Sequence, residues 1–184
     1  MHPGDLDAQL EAARSGDGRA IAALYRDINP SLIRYLRHRA PHVAEDLASE
    51  VWLAGAQQLN RFVGDAGDFR ALLFTIARRR TIDFYRAQSR RVGQVGLSEA
   101  GDPADRAETA QCATDNISAE RAIARLVRDL PPDQAEAIVL RVVADLSVEQ
   151  VAAITGHSPA NVRVLAHRGL KRLAQVRVQE VVTL

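Results

Sequence analysis

Apolar positions recur along most of this chain at intervals of three and four residues, which predicts amphipathic helices throughout and no strand pattern. Helices are expected over Asp5 to Arg14 and Asp17 to Ile28, parted by Ser15-Gly16; the second has Ile21, Leu24, Tyr25 and Ile28 in register. Pro30 is expected to end that helix and Ser31 to open a new one, with Leu32, Ile33 and Leu36 as its stripe and Pro41 as its stop. These three read as core helices with solvated arginines outside. From Val43 to Leu59, one buried side holds Val43, Leu47, Val51 and Ala54, widened by Trp52 and Leu59. The far side aligns Asp46, Glu50, Leu53 and Gln57 at i, i+4, i+7 and i+11, flanked by Glu45 and Ser49. This strip is either a solvated acidic face or a docking strip for a basic protein partner, anchored by Leu53.

Asn60 to Asp68, with two glycines and two aspartates, reads as a loop. It leads into the helix that organises the chain, Phe69 to Arg91. Phe69, Leu72, Leu73 and Ile76 form its apolar stripe, extended by Phe84 and Ala87, and Arg78, Ile82, Tyr85, Arg86 and Ser89 fall opposite. Between Arg61 and Arg91 there are eight Arg against three Asp. A basic face holding an aromatic suits phosphate contact with base stacking or wedging, although a solvated basic helix has the same pattern.

Helical periodicity is lost over 92–117, where three Gly, one Pro and five acidic residues meet only Arg106, the composition of a flexible acidic linker. It divides the chain into domains at 1–91 and 118–184. Ser118 is expected to cap SAERAIARLVRDL, and Pro132 to sit at N1 of a helix with Ala135, Ile138, Val139 and Val142 inward. Asp145-Leu146 turns the chain. Ser147 and Gln150 have capping-box spacing for a short helix through Thr155, Gly156-His157 turns, and Ser158 caps a second helix with Pro159 at N1. Short helix, glycine turn and capped helix is the helix-turn-helix plan. On the second helix Val162, Leu165, Ala166, Gly169, Leu170 and Leu173 gather inward, while Ala160, Val164, His167 and Lys171, flanked by Arg163 and Arg168, point outward. Such a helix reads base edges with its N-terminal part and holds phosphates with its basic C-terminal part.

Composition narrows the choices. The 184 residues carry a net charge of only +1, so the basic character is local. Cys112 is the one cysteine, which excludes an intramolecular disulfide and a cysteine metal site. No histidine cluster suggests a metal, and no cofactor is expected. The start MHPGDLDAQL has neither a basic nor an apolar signal region, and no run approaches the roughly 20 apolar residues of a membrane helix, so a cytoplasmic protein without membrane insertion is expected. No nucleophile or acid–base constellation appears, so an enzyme is not expected.

The order of these segments is recognisable. An acidic helix with AEDL and EVWL, the basic LLFTIARRRTIDFYR, an acidic linker, and LPPDQAEAIVLRVVADLSVEQVAAITGHSPANVRVLAHRGLKRL together resemble the extracytoplasmic-function (ECF, group 4) sigma factors of bacterial RNA polymerase. The resemblance covers about residues 20 to 175. It implies an all-α protein of two small domains, a region 2 helical bundle (1–91) and a region 4 helix-turn-helix (118–184), joined by the linker at 92–117. It implies that Asp46, Glu50, Leu53 and Gln57 face the coiled coil of the polymerase β′ clamp. Asn60, Arg61 and Phe62 of the loop, with Arg78, Arg79, Ile82, Tyr85 and Arg86, would melt and hold the −10 promoter element. Ser158, Ala160, Asn161, Arg163, Val164, His167, Arg168 and Lys171 would serve the −35 element, with the β flap gripping region 4. The linker would thread the active-site and RNA-exit channel, and a separate anti-sigma factor would bury the polymerase-binding faces. The chain departs from the family pattern at Leu72, where Trp is usual, at Arg79, where Asn is usual, and at Asn161-Val162-Arg163, where Thr-Val-Lys is commoner; these bear on promoter sequence and subgroup. A free-standing helix-turn-helix regulator is the competing reading, and it leaves the acidic strip and the first basic helix without a role.

Overall fold

The computed structural model describes residues 3–94 and 130–182, with side chains over 5–90 and 130–175, and every regular element in them is helical. The first unit contains α1 (Pro3–Arg14), α2 (Gly18–Arg39), a 3-10 turn (Pro41–Val43), α3 (Ala44–Leu59) and α4 (Ala66–Gln94). The second contains α5 (Pro132–Ile138), a π turn (Val139–Val143), α6 (Val148–Thr155) and α7 (Pro159–Val182). The expected helix after Ser118 and nearly all of the 92–117 linker lie outside the described residues.

α2 begins where Asp17 accepts the backbone N–H groups of Arg19 (2.8 Å) and Ala20 (3.5 Å). It then runs through Pro30, contrary to the expected break. A proline inside a helix costs about 3 kcal/mol through its missing N–H and its clash with the preceding turn. Leu24 and Ile28 before Pro30 and Leu32, Tyr35 and Leu36 after it are all buried on one side, and that burial exceeds the cost. Pro41 does stop the helix, at Ala40.

α3 buries Leu47, Val51 and Leu59 as expected, leaving Val43, Trp52 and Ala54 half-buried. Trp52 Nε1 donates to Asn29 Oδ1 at 3.0 Å and its ring lies 5.0 Å from Tyr25. At Gly55 the helix meets α4 so closely that a Cβ would fall 2.4 Å from Leu73 Cδ2.

α4 starts three residues before the expected Phe69, because Asp65 acts as its cap. Asp65 Oδ1 accepts the Asp68 N–H at 2.8 Å, while Asp7 of α1 accepts the Ala66 N–H at 2.8 Å. Its buried side is Ala66, Phe69, Leu73, Phe74, Ala77 and Thr81, whereas the expected Leu72, Ile76, Phe84 and Ala87 are half-buried. Thr81 has its hydroxyl satisfied by donating to the Ala77 carbonyl (2.9 Å).

In the second unit Pro132 occupies the first turn of α5 and Ala135, Ile138 and Val139 are buried as expected. Val142 is not: it is 60% exposed. The π turn, seen in the Ala144 N–H to Val139 carbonyl bond of 3.0 Å, inserts an extra residue into the helical repeat and turns Val142 outward while Leu140 and Ala144 face in. Asp145, at φ 53, reverses the chain. The Ser147/Gln150 capping box is present in both directions, α6 ends at Thr155, and Gly156 takes the left-handed conformation (φ 79). Ser158 Oγ accepts the Asn161 N–H at 3.2 Å. α7 packs Val162 and Gly169 inward; a Cβ on Gly169 would lie 2.4 Å from Ile138 Cδ1. Leu165, Ala166 and Leu173 are half-buried, and Leu170, expected inside, is 50% exposed.

The two units touch. α6 lies against α4, and the π turn lies against α2.

Candidate nucleic-acid interface

Four side chains define the outer strip of α3, and all four are exposed: Asp46, Glu50, Leu53 and Gln57. Leu53 keeps 63% of its surface in solvent, on the same side as Asp46 and Glu50 that precede it. Beside them Glu45 accepts from Arg37 at 3.0 Å, and that bond holds its carboxyl below the usual carboxylate range. Glu50 lies 3.6 Å from Arg80 of α4, an exposed pair of little energetic weight. The strip offers negative charge beside an apolar anchor.

The turn between α3 and α4 presents Asn60 and Arg61 to solvent. Phe62 is packed instead: its ring sits edge-on to Phe69 at 5.4 Å, with the Arg14 guanidinium 5.6 Å from its centre. The apolar residue that stands out of this turn is Val63, 91% exposed, which the helical pattern gave no reason to single out.

On α4 the expected outward face is split. Arg79 and Arg86 are exposed, the latter 3.9 Å from Asp83. Tyr85 is 42% exposed and donates its hydroxyl to the Arg39 carbonyl at 2.8 Å, while Ile82 is half-buried. Arg78, expected on the wet face, turns toward the second unit, where its Nε donates to Glu136 at 3.1 Å. The reason is tertiary: α5 brings a carboxylate to it.

The helix-turn-helix presents its outward face as expected. Ala160, Asn161, Arg163, Val164, His167, Arg168 and Lys171 are all exposed, and Ser158 is both exposed and the cap. Arg163 is steadied by Glu149 of α6 at 3.2 Å. Farther along, Arg168, Lys171 and Arg172 line a shallow basic hollow with Gln134 and Gln175, and Arg172 donates to Gln134 at 3.4 Å. Small and mixed side chains near the start of α7, followed by cations, match base-edge readout followed by phosphate contact. Among the described residues no cluster of His, Cys, Asp and Glu could hold a metal ion, and no helix is long and apolar enough to cross a membrane.

Comparison with known proteins finds two family models in this chain. A sigma-70 region 2 model matches residues 24–91 and a sigma-70 region 4 model matches residues 120–173. The ECF RNA polymerase sigma factor ShbA of Streptomyces griseus is 32% identical over 187 residues, covering 95% of this chain and 96% of its own. Among solved structures, CnrH in complex with the cytosolic domain of CnrY shares the fold with a TM-score of 0.62 at 22% identity, over 95% of this chain and 99% of that one. The sigma factor RpoE of Bartonella quintana, solved with the anti-sigma factor NepR, shares it with a TM-score of 0.60 at 23% identity, over 82% and 92%. Matched along its length by a relative of the same size, and carrying both region models in order, this chain belongs to the ECF RNA polymerase sigma factors.

Proposed function

We propose that this sigma factor binds core RNA polymerase through Asp46, Glu50, Leu53 and Gln57 of α3, directed at the β′ clamp coiled coil, and through region 4 at the β flap. The observation that carries this reading is Leu53, a large apolar residue left open one turn beyond the exposed Glu50, on a helix whose opposite side buries Leu47, Val51 and Leu59. Asn60, Arg61, Arg79, Tyr85 and Arg86 then meet the −10 element, together with Arg78 once it is free of Glu136. Phe62 serves by shaping the turn, and Val63 is the apolar side chain offered there to an unstacked base. Ser158, Ala160, Asn161, Arg163, Val164 and His167 read the −35 element, while Arg168 and Lys171 hold its phosphates.

The division into region 2 at 1–91, linker at 92–117 and region 4 at 118–184 is part of the same proposal, with α4 running to Gln94. So are action in the cytoplasm, the lack of any enzymatic step, and control by a separate anti-sigma factor. The last is supported by the capture of the similar RpoE by NepR. Promoter opening draws its energy from capture of unstacked bases and from phosphate neutralisation.

Run-off transcription with core polymerase, with and without the protein, on a library of genomic promoters tests the reading. Discrete promoter-dependent transcripts are expected. Specific operator binding by the protein alone, with no binding to core, would favour a free-standing regulator.

A further inference from the structure

The most unusual group in the molecule is Glu136. Its residue is 4% exposed, and α5 is buried at every position from Gln134 to Ile138. Among the described residues α5 packs on α7, and side chains of the first unit meet Glu136 from another direction. A buried carboxylate is tolerated only when paired and hydrogen-bonded. Among the described residues, all the groups that pair Glu136 come from the first unit. Tyr35 of α2 donates its hydroxyl at 3.1 Å, Arg78 of α4 donates Nε at 3.1 Å, and Arg39 of α2 brings its Nε to 4.0 Å. That Arg39 nitrogen is buried with no hydrogen-bond partner among the described residues, so it faces the carboxylate as a charge only. Tyr35 itself is fully buried, edge-on to Phe74 at 5.5 Å, and burial followed by the Glu136 charge keeps its hydroxyl protonated as a donor.

A second contact reinforces the first. Gln150 Nε2 of α6 donates to Asp68 Oδ1 at 3.3 Å, which sets the helix-turn-helix beside the start of α4 and the turn that precedes it. The first contact engages Arg78, assigned above to the −10 element, the second lies beside the turn that presents Asn60 and Arg61, and the outward face of α7 is left open.

We propose that Glu136 is an intramolecular latch: it takes the place of a DNA phosphate in front of Arg78 and Arg39, holds regions 2 and 4 together in the free sigma factor, and must be released before region 2 can engage the promoter. The functional half of this statement rests on the assignment of Arg78 to promoter contact; the structural half does not. Separating the units exposes Glu136, Tyr35 and both arginines to water, so the cost of opening is moderate and a partner that binds only the open form shifts the equilibrium.

The test is cross-linking in the full chain with Cys112→Ser, Asp68→Cys and Gln150→Cys, using a short thiol-cleavable bismaleimide. The free protein is expected to cross-link efficiently within the monomer. Adding Glu136→Gln should lower the initial cross-linking rate about tenfold by populating the open form. Tyr35→Phe, which keeps the ring packing and removes one donor, should lower it in the same direction, with circular dichroism confirming an intact helical fold. Equal rates with and without these substitutions would overturn the latch, as would failure of the parent to cross-link. The cross-linked parent should then fail in promoter-dependent transcription with core polymerase and recover on reduction. Full activity while cross-linked would overturn the requirement for opening. Transcripts absent from the reduced protein would count against the promoter-contact assignment, while the cross-linking rates still decide the latch.

Discussion

Truncating Leu53 to alanine separates a binding role from a folding role. Leu53 leaves 63% of its surface in water in the free protein, and Val51, on the opposite side of the same helix, leaves none. Fully burying a leucine side chain is worth about 1.5–3 kcal/mol, so covering the part of Leu53 still exposed contributes roughly 1–2 kcal/mol. The Leu53→Ala variant should therefore bind core polymerase roughly 5- to 25-fold more weakly. Its melting temperature should not move, because an exposed site away from caps and packed contacts changes stability by no more than about 0.5 kcal/mol. The assay is fluorescence anisotropy of labelled protein titrated with core polymerase, beside a thermal melt. Unchanged affinity would remove Leu53 from the interface. A fall in melting temperature would make it a structural residue and refute the reasoning in a different way. Asp46→Ala, by contrast, should act mainly on the association rate and its salt dependence, as rim charges do.

Gly169→Ala should cost about 1–3 kcal/mol in thermal denaturation, since its Cβ meets Ile138 Cδ1 at 2.4 Å in a packed interface. Adding Ile138→Val, which removes that Cδ1, should recover part of the loss in a double-mutant cycle. Substitutions at Ala160, Val164 or His167 should change the preferred −35 sequence in promoter competition, whereas Arg168→Ala and Lys171→Ala should weaken every promoter alike and each reduce the salt slope by about 0.9. Burial first, and the Arg39 charge next, hold His38 below its ordinary value of 6.5. The folded state thus binds this proton less readily than the unfolded chain, and stability falls as the pH drops from 6.5 through the lowered value. Melts at about pH 7.5 and about pH 5.5 should show the loss, and His38→Gln should reduce it.

The helices and the helix-turn-helix were legible in the sequence because their determinants are local. Ser147 with Gln150, Gly156 and Ser158-Pro159 each specify a cap or a turn within four residues, and the structure places each as expected. The errors arose where a distant or non-repeating feature decides. Pro30 looks like a stop, and the buried residues on either side of it carry the helix through. Asp65 looked like loop composition, but with Asp68 three residues on it is the cap of α4. Val142 fits a 3.6-residue period that the π turn breaks, and no composition marks where such a turn will form. Of the candidate site, the strip on α3 and the outer face of α7 could be read from spacing, since both are single faces of single helices. Val63 could not, because exposure in a turn has no period.

The arginines of the first unit show a further boundary. Spacing cannot tell a guanidinium that awaits a phosphate from one already satisfied, and the structure sorts them by partner. Arg70 is bound to Asp27 at 2.5 Å, Arg78 to Glu136 at 3.1 Å, and Arg80 faces Glu50 at 3.6 Å, whereas Arg61 and Arg79 stand exposed. The sequence did hold one signal for this. Glu136 is a lone acid in the apolar run AEAIVL, where a helix buried on both sides must find it a cationic partner. Arg78 is that partner, and its pairing alters the energetics of promoter binding. An arginine already neutralised by a carboxylate has no condensed counterion of the phosphate to displace until that pair is broken. The salt dependence of promoter binding should therefore be shallower than the count of arginines on α4 suggests, and it should steepen in Glu136→Gln, where the guanidinium of Arg78 is released to the DNA.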